Sequence, residues 1–448
     1  MVKKMLKKML KKKLLLIQPT IYDGKGGLVK KKRLYFTGLG IPLLAALTPS
    51  DWEVEICLEV IEDVPFDTDA DVIGISSMGH GVIRSIDIAS QFMNKGKTVV
   101  MGGYMVSLMP EEAKKHCHAV VIGDAEDVWS QVLQDIEQGD LKPFYKKEIT
   151  LLTTPLPRYD LLLKKSIGDF LPVQAGRGCP NQCSFCSVSC LYRGKYLRRD
   201  LQEVFRDIDY VKSLGFKKLL LLDDNILSNP EYLEELCKGL KSRKMSWMSQ
   251  CSISIAQNSR LLKLVADSGC TTLSFGLESI TYESLKSMNK SWAKPEKYPD
   301  LISRIQKVGI DVSTEMVVGA DGDTLDSIRR TADFITNNRI TVPRFYILTP
   351  IPGTDFYNDM KSQGRIVEED IYAYNGSQAV HAPKNMTPEE LTHAYWELYD
   401  RVFSISGIFK RTVLNPTLSK RPGTMLFYLM VNLYYRYQIH RRIPPNIL

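Results

Sequence analysis

The sequence predicts an α/β protein with two successive parallel sheets and a helical C-terminal region, and three patterns predict it. Short apolar runs alternate with amphipathic helical segments from residue 13 to about residue 123. Six further strand-then-helix repeats fill residues 170–385. Met386-Thr387-Pro388-Glu-Glu-Leu then opens a helical stretch, with Thr387 as N-cap and Pro388 at the first helical position.

In the first half, residues 14–17 read as a buried strand, 39–47 as a helix with Pro42 in its first turn, and 53–58 and 72–76 as strands. A helix over 83–94, a strand over 99–101, a helix over 110–116 and a strand over 119–123 follow. Apolar strands without polar alternation belong to a sheet covered on both faces, here a Rossmann-like domain whose ligand lies at the strand carboxyl ends. Small residues gather at those ends: Ser76, Ser77, Gly79 and His80 after one strand, Gly102 and Gly103 after the next, and Gly123-Asp124-Ala125-Glu126 after the last. Residues 136–168, with Gly139, Pro143, Pro155 and Pro157, read as a linker. In the second half, strands over 170–174, 218–222, 247–255, 272–275, 312–318 and 345–348 fit an open, partial (β/α)6 barrel with its chemistry on the loops after the strands. The expected boundaries are a basic extension over 1–12, domains over 13–135 and 169–385, and a helical cap over 386–448. Aromatic residues of that last segment, including Tyr395, Trp396, Tyr399 and Phe403, suit packing on the barrel and a cover over its mouth, two compatible readings.

One loop carries distinctive chemistry. Cys179-Pro-Asn-Gln-Cys183-Ser-Phe-Cys186 follows Gly176-Arg177-Gly178, and three thiolates on one loop can hold three irons of a four-iron cluster while leaving the fourth iron open. A zinc site normally takes four ligands from two separated pairs, and no second pair is present. Cys190 either closes the cluster or is a structural neighbour, and the second reading is preferred. Polar groups follow the barrel strands in order: Asp223-Asp224-Asn225, then Glu278-Ser279, then Gly319-Ala-Asp-Gly-Asp323-Thr324, then Gly353-Thr354. A few polar groups at otherwise apolar strand ends suit a charged ligand, and that reading is preferred for Asp223, Asp224 and Glu278 over loop capping or solvation.

The cysteine spacing resembles the signature of the radical S-adenosylmethionine (SAM) superfamily. The resemblance implies a [4Fe-4S] cluster on Cys179, Cys183 and Cys186, with SAM chelated at the open iron and cleaved to a 5'-deoxyadenosyl radical that abstracts hydrogen. It also implies that Phe185 packs near the cluster or the adenine, and that Asp223, Asp224, Asn225, Glu278 and Ser279 lie near SAM. Asp323 stands where the family pattern has glutamate. The stretches Gly40–Pro49, Asp71–Ser77, Met101–Gly103, Gly123–Glu126 and Pro157–Leu161 resemble the cobalamin-binding domain of the B12-binding class, which includes hopanoid methylases. This resemblance covers residues 13–415. It implies cobalamin beside Ser76, Ser77, Gly102, Gly103, Gly123 and Glu126, methyl transfer to an unactivated carbon, and an electron donor such as a reductase, flavodoxin or ferredoxin. The D-x-H-x-x-G motif is absent, Gln18-Pro-Thr-Ile-Tyr-Asp23 standing in its place, so the cobalamin would lack a histidine lower ligand or the domain would have lost it. Two alternatives are carbon–carbon bond or ring formation without cobalamin, and a noncatalytic iron–sulfur interaction protein closed by Cys190.

Charge is uneven. Residues 1–33 hold twelve Lys or Arg against one acid, and residues 401–448 hold eight against none, so an acidic body lies between basic ends. Met5, Leu6, Met9 and Leu10 sit at helical spacing among lysines, and residues 423–442 join an apolar run to tyrosines and arginines. Both ends suit a peripheral position at a membrane face, with a hydrophobic or lipid substrate; a disordered N-terminal tail and a C-terminal helix packed on the body are an equal alternative. The acidic body lacks a continuous basic face, so no nucleic-acid partner is expected. Nine cysteines, scattered as singles outside residues 179–190, no signal-peptide pattern and no run of 18 apolar residues lead to a cytoplasmic expectation.

Overall fold

The computed structural model describes residues 12–23, 26–79, 81–370 and 373–445. The basic extension with Met5, Leu6, Met9 and Leu10, and also His80, lie outside the described residues. The chain divides into two compact units, one formed by Met1–Pro172 with Gln202–Leu214, the other by Val173–Leu201 with Gly215–Ile447.

The first unit contains β1 (Lys12–Gln18), β2 (Leu34–Phe36), β3 (Trp52–Leu58), β4 (Val72–Ser76), β5 (Thr98–Gly102), β6 (Ala119–Ile122) and β7 (Phe144–Lys146). Six of these form one parallel sheet in the order β3-β1-β4-β5-β6-β7. Leu14, Leu15, Leu16 and Ile17 of β1 are essentially inaccessible, as a central strand covered on both faces requires. Helices Gly40–Leu47, Gly81–Asn94 and Trp129–Gln138 belong to the same unit. β3 lies on one side of β1 and β4 on the other, so the chain order reverses there and a crevice opens between the loops after β1 and β4. Two elements depart from expectation. β7 lies in the stretch read as linker, and β2, too short to show periodicity, pairs in parallel with β8 (Ile167–Val173).

Gly103 follows β5 with φ 109°, and an added Cβ would lie 2.1 Å from the Ser77 carbonyl oxygen. Gly103→Ala is therefore expected to cost about 3 kcal/mol or more, from backbone conformation and clash together. The check is a lowered urea midpoint by circular dichroism; an unchanged midpoint refutes the close approach.

In the second unit, β9 (Gly176–Gly178) and β10 (Tyr196–Arg198) form an antiparallel pair. β11 (Lys218–Leu221), β12 (Ser246–Gln250), β13 (Cys270–Glu278), β14 (Asp311–Val318) and β15 (Val342–Ile347) then lie side by side, all parallel. Val173 accepts a hydrogen bond from the Leu222 amide, so the end of β8 continues the sheet beside β11. Leu273, Phe275, Leu277, Phe345 and Ile347 are buried on one face, while Ser274, Gly276, Arg344 and Tyr346 are more open on the other.

Thr387 and Glu390 form a reciprocal capping box on helix Pro388–Val402. This helix packs on β15, where the Tyr399 hydroxyl donates to the Phe345 carbonyl and accepts from its amide. Helix Pro422–His440 packs at the amino ends of the strands. Arg421 just before it pairs with Asp311 at the start of β14, the Tyr428 hydroxyl lies 3.1 Å from Thr272 Oγ1 near the start of β13, and Asn432 donates to the Thr341 carbonyl just before β15. Within the expected cap, the final helix therefore sits at the end opposite the strand carboxyl termini, whereas Leu391 near the start of helix Pro388–Val402 lies against Gly319 just after β14.

Candidate functional site

The cysteine loop runs from β9 into helix Ser187–Tyr192 and is clamped by distant segments. The Ser184 amide donates to the Met288 carbonyl, Asn289 Nδ2 donates to the Gln182 carbonyl at 2.6 Å, and the Phe356 amide donates to the Ser184 carbonyl. The Cys186 amide donates to the Cys183 carbonyl, which turns these two residues together. Burial pushes the Cys183 thiol up to about 12 and raises Cys179 and Cys186 as well, while the nearby Lys290 charge pulls Cys183 the other way. Cys183 also feels the charge of both Cys186 and Cys179, so the three thiols lie within electrostatic reach of one another. Among the described residues, no three metal-ligating side chains converge on one ion. A four-iron cluster makes no such demand, because each thiolate binds a different corner. Cys190 is turned elsewhere, its Sγ 2.9 Å from the Gly353 carbonyl and its charged neighbours Asp355 and Arg193. The donor set thus fits a cluster with one open corner. Phe185 is half-buried within the loop.

Asp223 and Asp224 hold the approach to that loop. Asp223 is buried and accepts from the Ala175 amide at 2.8 Å and the Tyr196 hydroxyl at 3.1 Å; Asp224 accepts from the Gly178 amide at 2.7 Å. These contacts match the loop-cap reading. Asn225 reaches further: its Oδ1 accepts from the Leu227 and Ser252 amides, and its Nδ2 points to Cys179 Sγ at 3.8 Å. Burial, with Asp224 adding to it, raises the Asp223 carboxyl to about 7 against the hydrogen bonds it accepts. The folded-state value lies above the unfolded one, so the folded state holds the extra proton between about pH 4 and pH 7, and stability falls as pH rises through that window. The gap corresponds to roughly 4 kcal/mol. Asp223→Asn is expected to gain stability relative to the wild type between pH 5 and pH 8 in paired urea titrations; parallel curves would refute the shift.

Glu278 closes β13 in the left-handed backbone region, φ 63°, where the register with β14 slips. Its side chain folds back over Gly276, where an added Cβ would lie 2.5 Å from Glu278 Oε1. Lys290 Nζ donates to Glu278 Oε1 at 2.8 Å and to the Gly276 carbonyl at 2.7 Å, and both side chains are nearly inaccessible. Burial works against the Lys290 charge, yet Glu278, Cys183 and Cys186 together raise its pKa above the ordinary value. A fixed ammonium therefore lies within electrostatic reach of Cys183 and Cys186. Sequence reasoning missed Lys290, which follows a short helix and carries no motif spacing to the cysteines. Ser279 lies in a different network. Its hydroxyl meets Thr281 Oγ1 and Asp323, and the buried Asp323 carboxylate accepts from Ser284 Oγ and the Gly319 and Ala320 amides. The shorter acid at 323 serves its own loop.

In the first unit, Ser76 ends β4 and Ser77 follows it at the topological switch. Ser77 Oγ is buried with no hydrogen-bond partner, and so is Thr37 Oγ1 beyond β2. An added Cβ on Gly79 or Gly123 would meet nothing within 4 Å. Orphaned hydroxyls and open glycine positions at strand carboxyl ends fit a bulky polar ligand such as cobalamin. Gly102 and Gly103 have local packing reasons, against Val121 and Ser77, and Glu126 is half-buried beyond β6. His118 Nδ1 accepts from the Val99 amide, toward the opposite end of β5.

The family model for the Radical SAM superfamily matches residues 173–335. Bacteriochlorophyllide d C-12(1)-methyltransferase of Chlorobaculum tepidum is 30% identical over 411 residues, 89% of this chain and 89% of the relative. The C-8(2)-methyltransferase of the same organism is 31% identical over 86% of this chain and 89% of the relative. The cobalamin-dependent SAM radical enzyme OxsB, with aqua-cobalamin and SAM bound, superposes with a TM-score of 0.70 over 95% of this chain and 73% of that chain, at 14% identity. TsrM from Kitasatospora setae, with cobalamin and a [4Fe-4S] cluster, gives 0.64 over 79% and 75%, at 16% identity. At these identities the solved structures speak for the fold, while the full-length relatives carry the family. With the three-thiol loop on one sheet and the switch-point crevice on the other, the chain belongs to the B12-binding class of radical SAM enzymes.

Proposed function

We propose that this radical SAM methyltransferase acts on an unactivated carbon of a hydrophobic substrate, with Cys179, Cys183 and Cys186 as the cluster ligands. Cobalamin sits in the crevice beside Ser76, Ser77, Gly102, Gly103, Gly123 and Glu126. The observation that carries the reading is the buried Lys290 ammonium, held by Glu278 and close enough to Cys179, Cys183 and Cys186 to act on each of them electrostatically. When bound, the cluster and SAM supply the reducing power and the radical that takes hydrogen from carbon, and cobalamin supplies the methyl group. Lys290 is the counter-charge for the carboxylate of SAM, and Glu278 fixes its position. Asn225 directs its amide at Cys179 and favours the thiolate; Asp223 and Asp224 are positioning residues that hold the loop's approach. A reductase, flavodoxin or ferredoxin supplies the electron. The relatives named for bacteriochlorophyllide d make a macrocycle of that kind the first substrate to test. A peripheral position at the cytoplasmic face of a membrane fits such a substrate.

The test is anaerobic reconstitution with iron, sulfide and cobalamin, then metal analysis and mass spectrometry after reduction with SAM and the macrocycle. Retained cobalt, 5'-deoxyadenosine, S-adenosylhomocysteine and a product one methylene heavier are expected. Deoxyadenosine formed without any cobalt bound would replace methyl transfer by cobalamin-free carbon–carbon bond formation.

A further inference from the structure

Helix Pro422–His440 has two unlike faces. Tyr428, Asn432, Tyr435 and Ile439 are buried on the barrel side, whereas Leu426, Phe427, Met430, Leu433, Tyr434 and Tyr437 are 37–58% exposed. A helix facing water places polar residues there. The helix Ile405–Arg411, which packs against it, exposes Ile405 and Phe409 as well. Exposed apolar surface on this scale marks an interaction site.

Charge identifies the occupant. Residues 401–448 carry eight Lys or Arg and no acid. Arg401, Arg421 and Arg442 pair with Asp333, Asp311 and Asp400, Arg411 is buried, and Arg436 donates to the Phe403 carbonyl. Lys410, Lys420 and Arg441 are exposed, and none forms an ion pair among the described residues. A second copy seated on this face by a two-fold axis would oppose the same cationic segment to itself, with none of its own acids to offset the repulsion. No described helix is long and apolar enough to cross a membrane, so this one can lie in the interface plane.

We propose that the outer face of helix Pro422–His440 docks on an anionic lipid surface. Leu426, Phe427, Met430 and Leu433 enter the acyl boundary, Tyr434 and Tyr437 sit at headgroup level, and Lys410, Lys420 and Arg441 meet the lipid phosphates. The surface belongs to the peripheral-membrane part of the proposed function, but it lies at the strand amino ends, opposite the cysteine loop, and can be tested without catalysis.

The experiment is flotation of the full-length reconstituted protein with vesicles of phosphatidylcholine alone or mixed with phosphatidylglycerol. The wild type is expected to float with the anionic vesicles and to be released by high salt. The L426S/F427S/M430S variant is expected to lose at least about tenfold in bound fraction. K410Q/K420Q/R441Q is expected to lose the preference for phosphatidylglycerol. Unchanged iron content and SAM cleavage in both variants show that they are folded. Wild type that stays off anionic vesicles overturns the proposal. So does an apolar-face variant that still floats, which would assign binding to the basic N-terminal extension, and so does a wild-type dimer that this variant dissociates, which would make the face a self-association surface.

Discussion

Alanine in place of Cys179, Cys183 or Cys186, one at a time, is expected to remove the cluster's iron and lower 5'-deoxyadenosine formation to background, while Cys190→Ala keeps both. Each of the three thiols is raised by burial, so an unmetallated loop holds three protonated, desolvated groups within electrostatic reach of one another. Metal binding reverses that situation by exchanging protons for iron, and losing one corner leaves the other two with the desolvation cost and less of the bonding. Cys190 has no share in this, because its Sγ lies against the Gly353 carbonyl. Its replacement forfeits one weak hydrogen bond, worth about 1 kcal/mol or less. Iron per chain, the electron paramagnetic resonance of the reduced cluster and the deoxyadenosine yield read the outcome. A Cys190→Ala protein that loses its iron would mean a cluster with four protein ligands and no open corner, and with it the end of the radical mechanism.

The cysteine loop was legible because its chemistry is local: three thiols within eight residues need no knowledge of the fold. The first sheet was legible for a related reason, since apolar runs such as Leu14–Ile17 and Val72–Ile75 are long enough to announce buried parallel strands. Lys290 was not, because its role depends on a hundred intervening residues folding so that Met288 and Asn289 clamp the cysteine loop. Asp223 and Asp224 were marked as important by position, yet position after a strand does not separate a carboxylate that meets a ligand from one that caps a nearby backbone amide. Asn225, in the same run, is the residue that reaches Cys179. The tail shows the same limit at larger scale. Its aromatic residues suggest packing on the barrel, but only contacts with Thr272, Asp311 and Thr341 place the final helix at the amino ends of the strands, where Phe427, Tyr434 and Tyr437 stay exposed.

The Lys290–Glu278 pair offers the sharpest test of what the structure adds to the sequence. Lys290→Met leaves the buried Glu278 carboxyl without its partner and still in a left-handed backbone conformation that a non-glycine residue adopts at a cost of about 1–3 kcal/mol. Removing one partner of a buried pair destabilises by about 3–5 kcal/mol, so this variant is expected to unfold at markedly lower urea. Adding Glu278→Gln removes the stranded charge and is expected to recover much of that loss, since an amide at 278 can still accept from its surroundings. Stability and SAM binding then separate. If Lys290 is the counter-charge for SAM's carboxylate, the double variant regains stability while its SAM affinity stays weaker by about thirtyfold or more, the consequence of losing one side of a desolvated charge contact. Lys290→Arg, which retains the charge, is expected to fall between the wild type and the methionine variant in affinity. A double variant that is stable and binds SAM as the wild type does would reduce Lys290 to a prop for the end of β13, leaving the carboxylate of SAM to be met by another group.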